Sequence, residues 1–181
     1  RQMRMFSTAQ LRDGDRFSAA KARELFAGRG VGAVEYRDLP GAACAEFYRD
    51  LQAFLRAETR LGIPALVTAE TLHGLMVPGA TVFPQAIAMA STWDPDLVAE
   101  VAAAAAAEGS ALGICQALAP DLDLARDPRW GRVEETYGED PHLGSRLGVA
   151  YIRALQGTGP TVDAHHLVAT PKHFAAHGSP E

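Results

Sequence analysis

The sequence is poor in cysteine, with two in 181 residues, and poor in positive charge, with 17 Lys plus Arg against 22 Asp plus Glu. Cys44 and Cys115 are far apart and in no metal-ligand spacing, which favours a reducing compartment and hence the cytoplasm. The formal net charge of -5 leaves no basic footprint for nucleic acid or for an anionic membrane. Long hydrophobic runs are also missing. The longest, Val98–Ala107, is interrupted by Glu100 and made mostly of alanine, so it is too short and too weakly apolar to cross a bilayer. Arg1-Gln2-Met3-Arg4 leads into no apolar stretch of the kind a secretion signal carries. What is present is ordinary globular material, 48% hydrophobic and 22% charged residues, which excludes disorder, collagen and coiled coil. The length alone fits one domain.

Two kinds of segment alternate along the chain. Gly32–Glu35, Ile63–Ala69, Gln116–Leu124 and Leu167–Phe174 are short aliphatic runs that read as buried strands. Between the first two, Phe47, Leu51, Phe54, Leu55 and Glu58 have the spacing of an amphipathic helix, which Gly62 and Pro64 stop. Asp94-Pro95 predicts a second helix through Leu97, Val98, Val101 and the alanine run. There the Asp carboxylate accepts from orphan backbone N–H groups and Pro suits the first helical position. Asp140-Pro141 repeats the signal ahead of Leu143, Leu147, Ala150, Tyr151, Ala154 and Leu155, with Gly157 as the stop. Alternating strands and helices with near-continuous apolar strands imply an α/β fold on a parallel sheet, either doubly wound or closed into a barrel. Periodicity does not choose between the two.

In such folds the loops after the strands' C-terminal ends carry the site. Three strands end in polar residues: Glu70-Thr71-Leu72-His73-Gly74 after the second, Asp121-Leu122-Asp123 and the loop Ala125–Glu135 after the third, and Lys172-His173 after the last. Carboxylates, Arg132 beside the Trp130 loop, a lysine and a histidine suit a neutral, hydroxyl-rich ligand such as a sugar. Charged groups make short hydrogen bonds to hydroxyls, and an indole stacks on an apolar ring face. For Glu70 and Arg132 the competing reading is an ion-pair network that closes loops; Asp127-Pro128 has the chemistry of an ordinary turn.

Other chemistries fit less well. His173 and His177 are four apart, but in an extended strand that is roughly 13 Å, too far for one metal ion. Lys172 as a Schiff-base lysine would need a buried, depressed ammonium. The string Gly28, Gly30, Gly32 precedes a strand instead of following one, against a dinucleotide site, and no Gly-x-Ser-x-Gly turn occurs. No metal and no cofactor are expected.

The fifteen residues Asp127–Pro141, DPRWGRVEETYGEDP, resemble the signature of glycoside hydrolase family 3, the β-glucosidase and β-xylosidase family. Arg60–Gly74, Gly79–Val98, Ala117–Pro128 and Val168–Glu181 are similar to further family strings in the same order, so the resemblance covers about seven-tenths of the chain, Leu51–Glu181. It implies a (β/α)8 TIM-type barrel, of which residues 1–181 would be the N-terminal half, four or so βα units. It also implies a retaining, exo-acting β-glycosidase for terminal β-D-glucosyl or β-D-xylosyl residues, with an oligosaccharide or β-glycoside as its partner. The family roles fall on Glu70, Arg132, Lys172 and His173 as binders of the sugar in the first subsite. Glu70 departs from the Asp common in the glucosidase-like members. The nucleophile and the acid/base are expected beyond Glu181, and Glu134 and Glu135 are assigned to holding Arg132 or capping the following helix. Two alternatives stand beside this reading. One is a non-catalytic carbohydrate-binding or scaffold half barrel completed by a partner chain, as a homo-oligomer or with the remainder of the same chain. The other is a lysine-dependent barrel lyase.

Overall fold

The computed structural model describes residues 3–174, 177 and 178. Arg1, Gln2, Ala175, Ala176 and Ser179–Glu181 lie outside the described residues, and with them both the start of the N-terminal tetrapeptide and parts of the Val168–Glu181 string. The elements in chain order are β1 (Met5–Ser7), β2 (Arg12–Asp13), β3 (Arg16–Phe17), α1 (Ala19–Phe26), β4 (Ala33–Glu35), α2 (Gly41–Glu58) and β5 (Leu66–Ala69). They are followed by α3 (Ala86–Ala90), α4 (Pro95–Ala111), β6 (Gln116–Ala117), α5 (Pro141–Gln156) and β7 (Val168–Ala169).

A five-stranded sheet has the order β1-β4-β5-β6-β7, every pairing parallel. That is one strand more than the apolar runs predicted. β1 is short and half-exposed, so it has no buried run by which to be recognised. The β2–β3 hairpin and α1 are likewise unmarked in the sequence. The other strands are shorter than their apolar runs. Pro64, Pro120 and Pro171 flank them, and proline supplies no N–H to a ladder. Beyond β6 and β7 the pairing survives as a single bridge, Asp121 with Lys172.

The helices form where their signals are. In α4 the Asp94 carboxylate accepts from the N–H groups of Asp96 at 3.0 Å and Leu97 at 3.2 Å. In α5 Asp140 accepts from His142 at 2.7 Å and Leu143 at 3.1 Å. Phe47, Leu51, Phe54 and Leu55 of α2 are all buried, each contributing about 1.5–3 kcal/mol relative to an exposed side chain. α5 buries Leu147, Tyr151 and Leu155. In α4 Val98 and Val101 are buried, while Leu97 is 38% exposed.

Two contacts connect α5 to the loops above the sheet. A Cβ at Gly148 would lie 2.5 Å from Leu122 Cδ2, so glycine allows the helix to seat against the turn after β6. The buried Tyr151 hydroxyl donates to the Thr71 carbonyl in the loop after β5. That loop turns at Gly74, where φ is +105° and a Cβ would meet the Thr81 carbonyl at 2.2 Å, a site only glycine can fill. Truncating the buried Leu155 to Ala is expected to cost about 2–5 kcal/mol of unfolding free energy. Leu97→Ala, on the solvent side of α4, should stay within about 0.5 kcal/mol; urea denaturation of the two variants compares them.

Candidate functional site

The C-terminal ends of β5, β6 and β7 are adjacent, and the polar residues that follow them converge. Glu70 comes directly after β5, Asp121 and Asp123 lie on the turn after β6, and Lys172 and His173 follow β7. Arg132 reaches the same place from the loop between β6 and α5. That loop is closed at its base by Ala125 N–H donating to the Gly138 carbonyl at 3.1 Å. Its tip is an ordinary Asx turn, Arg129 N–H to Asp127 Oδ1 at 2.9 Å.

Lys172 Nζ donates to Glu70 Oε2 at 2.8 Å. Arg132 engages Glu135 through two bonds, Nε to Oε1 at 2.7 Å and Nη2 to Oε2 at 2.6 Å. Its third nitrogen, Nη1, lies 3.2 Å from His173 Nε2. His173 in turn donates its backbone N–H to Asp123 Oδ2 at 3.2 Å, and its Nδ1 is 2.7 Å from the same oxygen. An Arg donor at Nε2 requires that nitrogen to accept, which leaves the proton on Nδ1 facing Asp123.

The electrostatics follow from these pairings. The hydrogen bonds from Arg132 hold the Glu135 carboxyl below its ordinary value of 4.5, against the opposing effect of burial. Burial alone would raise Asp123, but its hydrogen bonds with His173 bring it down. For Asp121, which is 1% exposed, burial wins and the carboxyl is pushed up.

All four residues predicted from the sequence are therefore in one cluster, as two linked pairs, Glu70 with Lys172 and Arg132 with His173. Glu135 does hold Arg132. Asp121 and Asp123 were recognised only as a polar strand end; their spacing, i and i+2 at the end of a strand, was the available signal. Two local expectations are corrected. Trp130 is 6% exposed and edge-on to His177, with ring centroids 5.0 Å apart, so it offers no open face. The chain also turns after Lys172, bringing the His173 and His177 rings to 4.9 Å instead of the extended-strand separation.

With Asp123 these histidines place three possible metal-ligand atoms within 4.8 Å of one another. The existing pairing is that of a hydrogen-bonded group, however. Asp123 Oδ2 and His173 Nδ1 are 2.7 Å apart, closer than two ligands on a tetrahedral zinc with bonds of about 2.0–2.1 Å. Lys172 is ion-paired with a carboxylate, the reverse of the apolar pocket a Schiff-base lysine uses.

A cavity of about 320 Å³ is lined by Glu70, His73, Gln85, Arg132, Glu134 and Glu135, with Leu72 and Met76 as its apolar wall. A larger groove, about 540 Å³, runs between α4 and α5 and contains none of the clustered residues.

Parallel strands with polar residues gathered at their C-terminal ends define the class, an α/β protein with a charged cluster at the strand ends. Comparison with known proteins makes this specific. Residues 2–181 match the glycosyl hydrolase family 3 N terminal domain, and the chain belongs to that family. A beta-xylosidase of Formosa agariphila is 51% identical over 132 residues, 69% of this chain and 18% of that protein. A periplasmic beta-glucosidase of Salmonella typhimurium is 38% identical over 133 residues, 74% of this chain and 17% of that protein. Among solved structures, a b-glucosidase from Erythrobacter marinus superposes with a TM-score of 0.88 at 34% identity, covering 98% of this chain and 24% of the other. The chain thus spans about a fifth of the relatives it matches, and its sheet and helices are part of a TIM-barrel-like α/β fold.

Glu135→Gln should lower the unfolding free energy by about 1–2 kcal/mol at neutral pH by weakening the grip on Arg132. The folded-state pKa of Glu135 is depressed, so its contribution is present above 4.5 and is lost as pH falls through the folded value. Denaturation at a series of pH values should show the difference between wild type and variant vanishing on the acid side.

Proposed function

We propose that this chain is the sugar-recognition part of a retaining, exo-acting β-glycosidase that releases terminal β-D-glucosyl or β-D-xylosyl residues. The single observation that carries the reading is the convergence of Glu70, Lys172, Arg132 and His173 at the ends of three adjacent strands. A pyranose presents a ring of hydroxyls, each both donor and acceptor. The Glu70 carboxylate accepts from such a hydroxyl, while the Lys172 ammonium and the Arg132 guanidinium donate to one. The His173 ring, fixed in orientation by Asp123, adds a further contact. In the free site these charges are paired with one another, so a neutral sugar enters without leaving a charge uncompensated.

A retaining mechanism uses two carboxyl groups about 5 Å apart, one to attack the anomeric carbon and one to protonate the leaving oxygen. In this reading residues 1–181 are the N-terminal half of the barrel domain, and both carboxyls are supplied by the rest of the protein. The relatives' greater length supports that assignment, as does the engagement of Glu135 by Arg132. In the described residues β1 and β7 are the sheet edges, and the remaining strands come from the same polypeptide. A partner chain or a second copy in that place would be recognised by sizing the intact gene product in solution.

The intact gene product is expected to cleave aryl β-glucosides or β-xylosides; failure on both at high enzyme concentration would overturn the proposal. In that protein Arg132→Ala and Lys172→Ala should each lower kcat/KM by well over tenfold, roughly 2–5 kcal/mol of transition-state binding, because each leaves a hydroxyl partner unmet. Steady-state kinetics checks this, and a loss below tenfold would remove that residue from the assigned set.

A further inference from the structure

Asp121 is enclosed beneath the cluster, 1% exposed. One carboxylate oxygen, Oδ1, accepts the Asp123 N–H at 2.9 Å and so builds the turn after β6. The other, Oδ2, is fully buried with no hydrogen-bond partner among the described residues. It lies 3.8 Å from Arg132 Nη2 and 3.9 Å from His173 Nδ1, too far for hydrogen bonds and close enough for charge to act. The turn itself accounts only for Oδ1, since the Oδ1 of an asparagine would accept the same N–H. A buried oxygen without a partner is a cost to the fold, and a carboxylate makes that cost larger than an amide would. Some other part of the molecule must gain from the charge.

We propose that Asp121 is a positioning residue of the sugar site, its carboxylate drawing the Arg132 guanidinium and the His173 ring inward to the places where they meet hydroxyls. This rests on the sugar-binding reading of those two residues. Every packed element presents a charged or titratable group here. Asp123 comes from the same turn, Arg132, Glu135 and Tyr137 from the loop before α5, and His173 from the end of β7; the Glu70–Lys172 pair lies beyond them. Arg132 Nη2 is held by Glu135 Oε2 at 2.6 Å and faces Asp121 Oδ2 at 3.8 Å. Without Asp121 the guanidinium keeps its bonds to Glu135 and His173 but loses the charge that draws its Nη2 inward.

Burial raises the Asp121 carboxyl, which sets the sign of both consequences. Raising pH ionises it and strengthens the pull on Arg132 and His173. The same ionisation removes stability, because a raised folded-state pKa contributes fully below the unfolded value and is lost as pH climbs through the folded one. The site therefore gains order where the fold gives up stability.

The test is Asp121→Asn in the intact gene product, which keeps the turn and removes the charge. On an aryl β-glycoside, KM should rise at least about tenfold with a smaller change in kcat, and the acid-side fall in kcat/KM that follows Asp121 should flatten. The melting temperature should rise at about pH 8, and the gap to wild type should close only as pH falls well below the unfolded value of 3.8, to about pH 2.5, where Asp121 is protonated in both states. The His173 ring resonances should also move, a readout that needs no activity. Unchanged KM, pH profile and ring resonances would overturn the proposal, as would a melting temperature lowered at every pH, which marks a purely structural residue. A parent enzyme inert toward every glycoside would overturn the function proposed above, and the resonance and melting comparisons would then still decide whether Asp121 orients His173.

Discussion

The hydrogen bond between Asp123 and His173, 2.7 Å long, joins the turn after β6 to the end of β7, and the rest of the site is built outward from it. It fixes the ring and its tautomer, so that Nε2 meets Arg132 at 3.2 Å. Arg132 is in turn held by Glu135, which fixes the long loop before α5 over the strand ends. One buried carboxylate thereby couples three separate stretches of chain. Parallel pairing makes this possible, because every strand delivers its C-terminal end to the same edge of the sheet.

The cluster is a charged one whose cations are already paired. Carboxylates outnumber cations: Glu70, Asp121, Asp123 and Glu135 face Lys172 and Arg132. Each cation has a carboxylate within 2.8 Å before any ligand arrives. Under the proposed reading a sugar hydroxyl would add hydrogen bonds to Lys172 and Arg132, each already paired with a carboxylate, and the fold would provide the orientation. The surplus negative charge is concentrated on Asp121 and Asp123, where burial and hydrogen bonding move the two carboxyls in opposite directions.

Legibility in the sequence differed by element for physical reasons. Asp94-Pro95 and Asp140-Pro141 marked two helix starts to the residue, because a cap is a contact between neighbours in the chain. The core face of α2 was readable for the same local reason. β1, α1 and the β2–β3 hairpin were missed, since Met5–Ser7 is a three-residue edge strand without a buried run. Strand lengths were overread because apolar character continues past the point where proline ends the ladder. In the site, Glu70, Arg132, Lys172 and His173 could be named from strand ends and from family resemblance. Their partners could not: Glu70 meets Lys172 across 102 positions of sequence, and His173 meets Asp123 across 50.

The sequence by itself determined the alternation of strands and helices, the caps that start α4 and α5, the kinship to glycoside hydrolases, and which polar residues stand at strand ends. All of these depend on residues close together along the chain. Only the tertiary structure decided that Trp130 is packed edge-on to His177 instead of offering a face to a ligand, that His173 turns back toward His177, and that Asp121 is enclosed with a free oxygen beside Arg132. Those outcomes depend on burial and on how the ends of different strands meet, and neither quantity exists until the sheet has assembled.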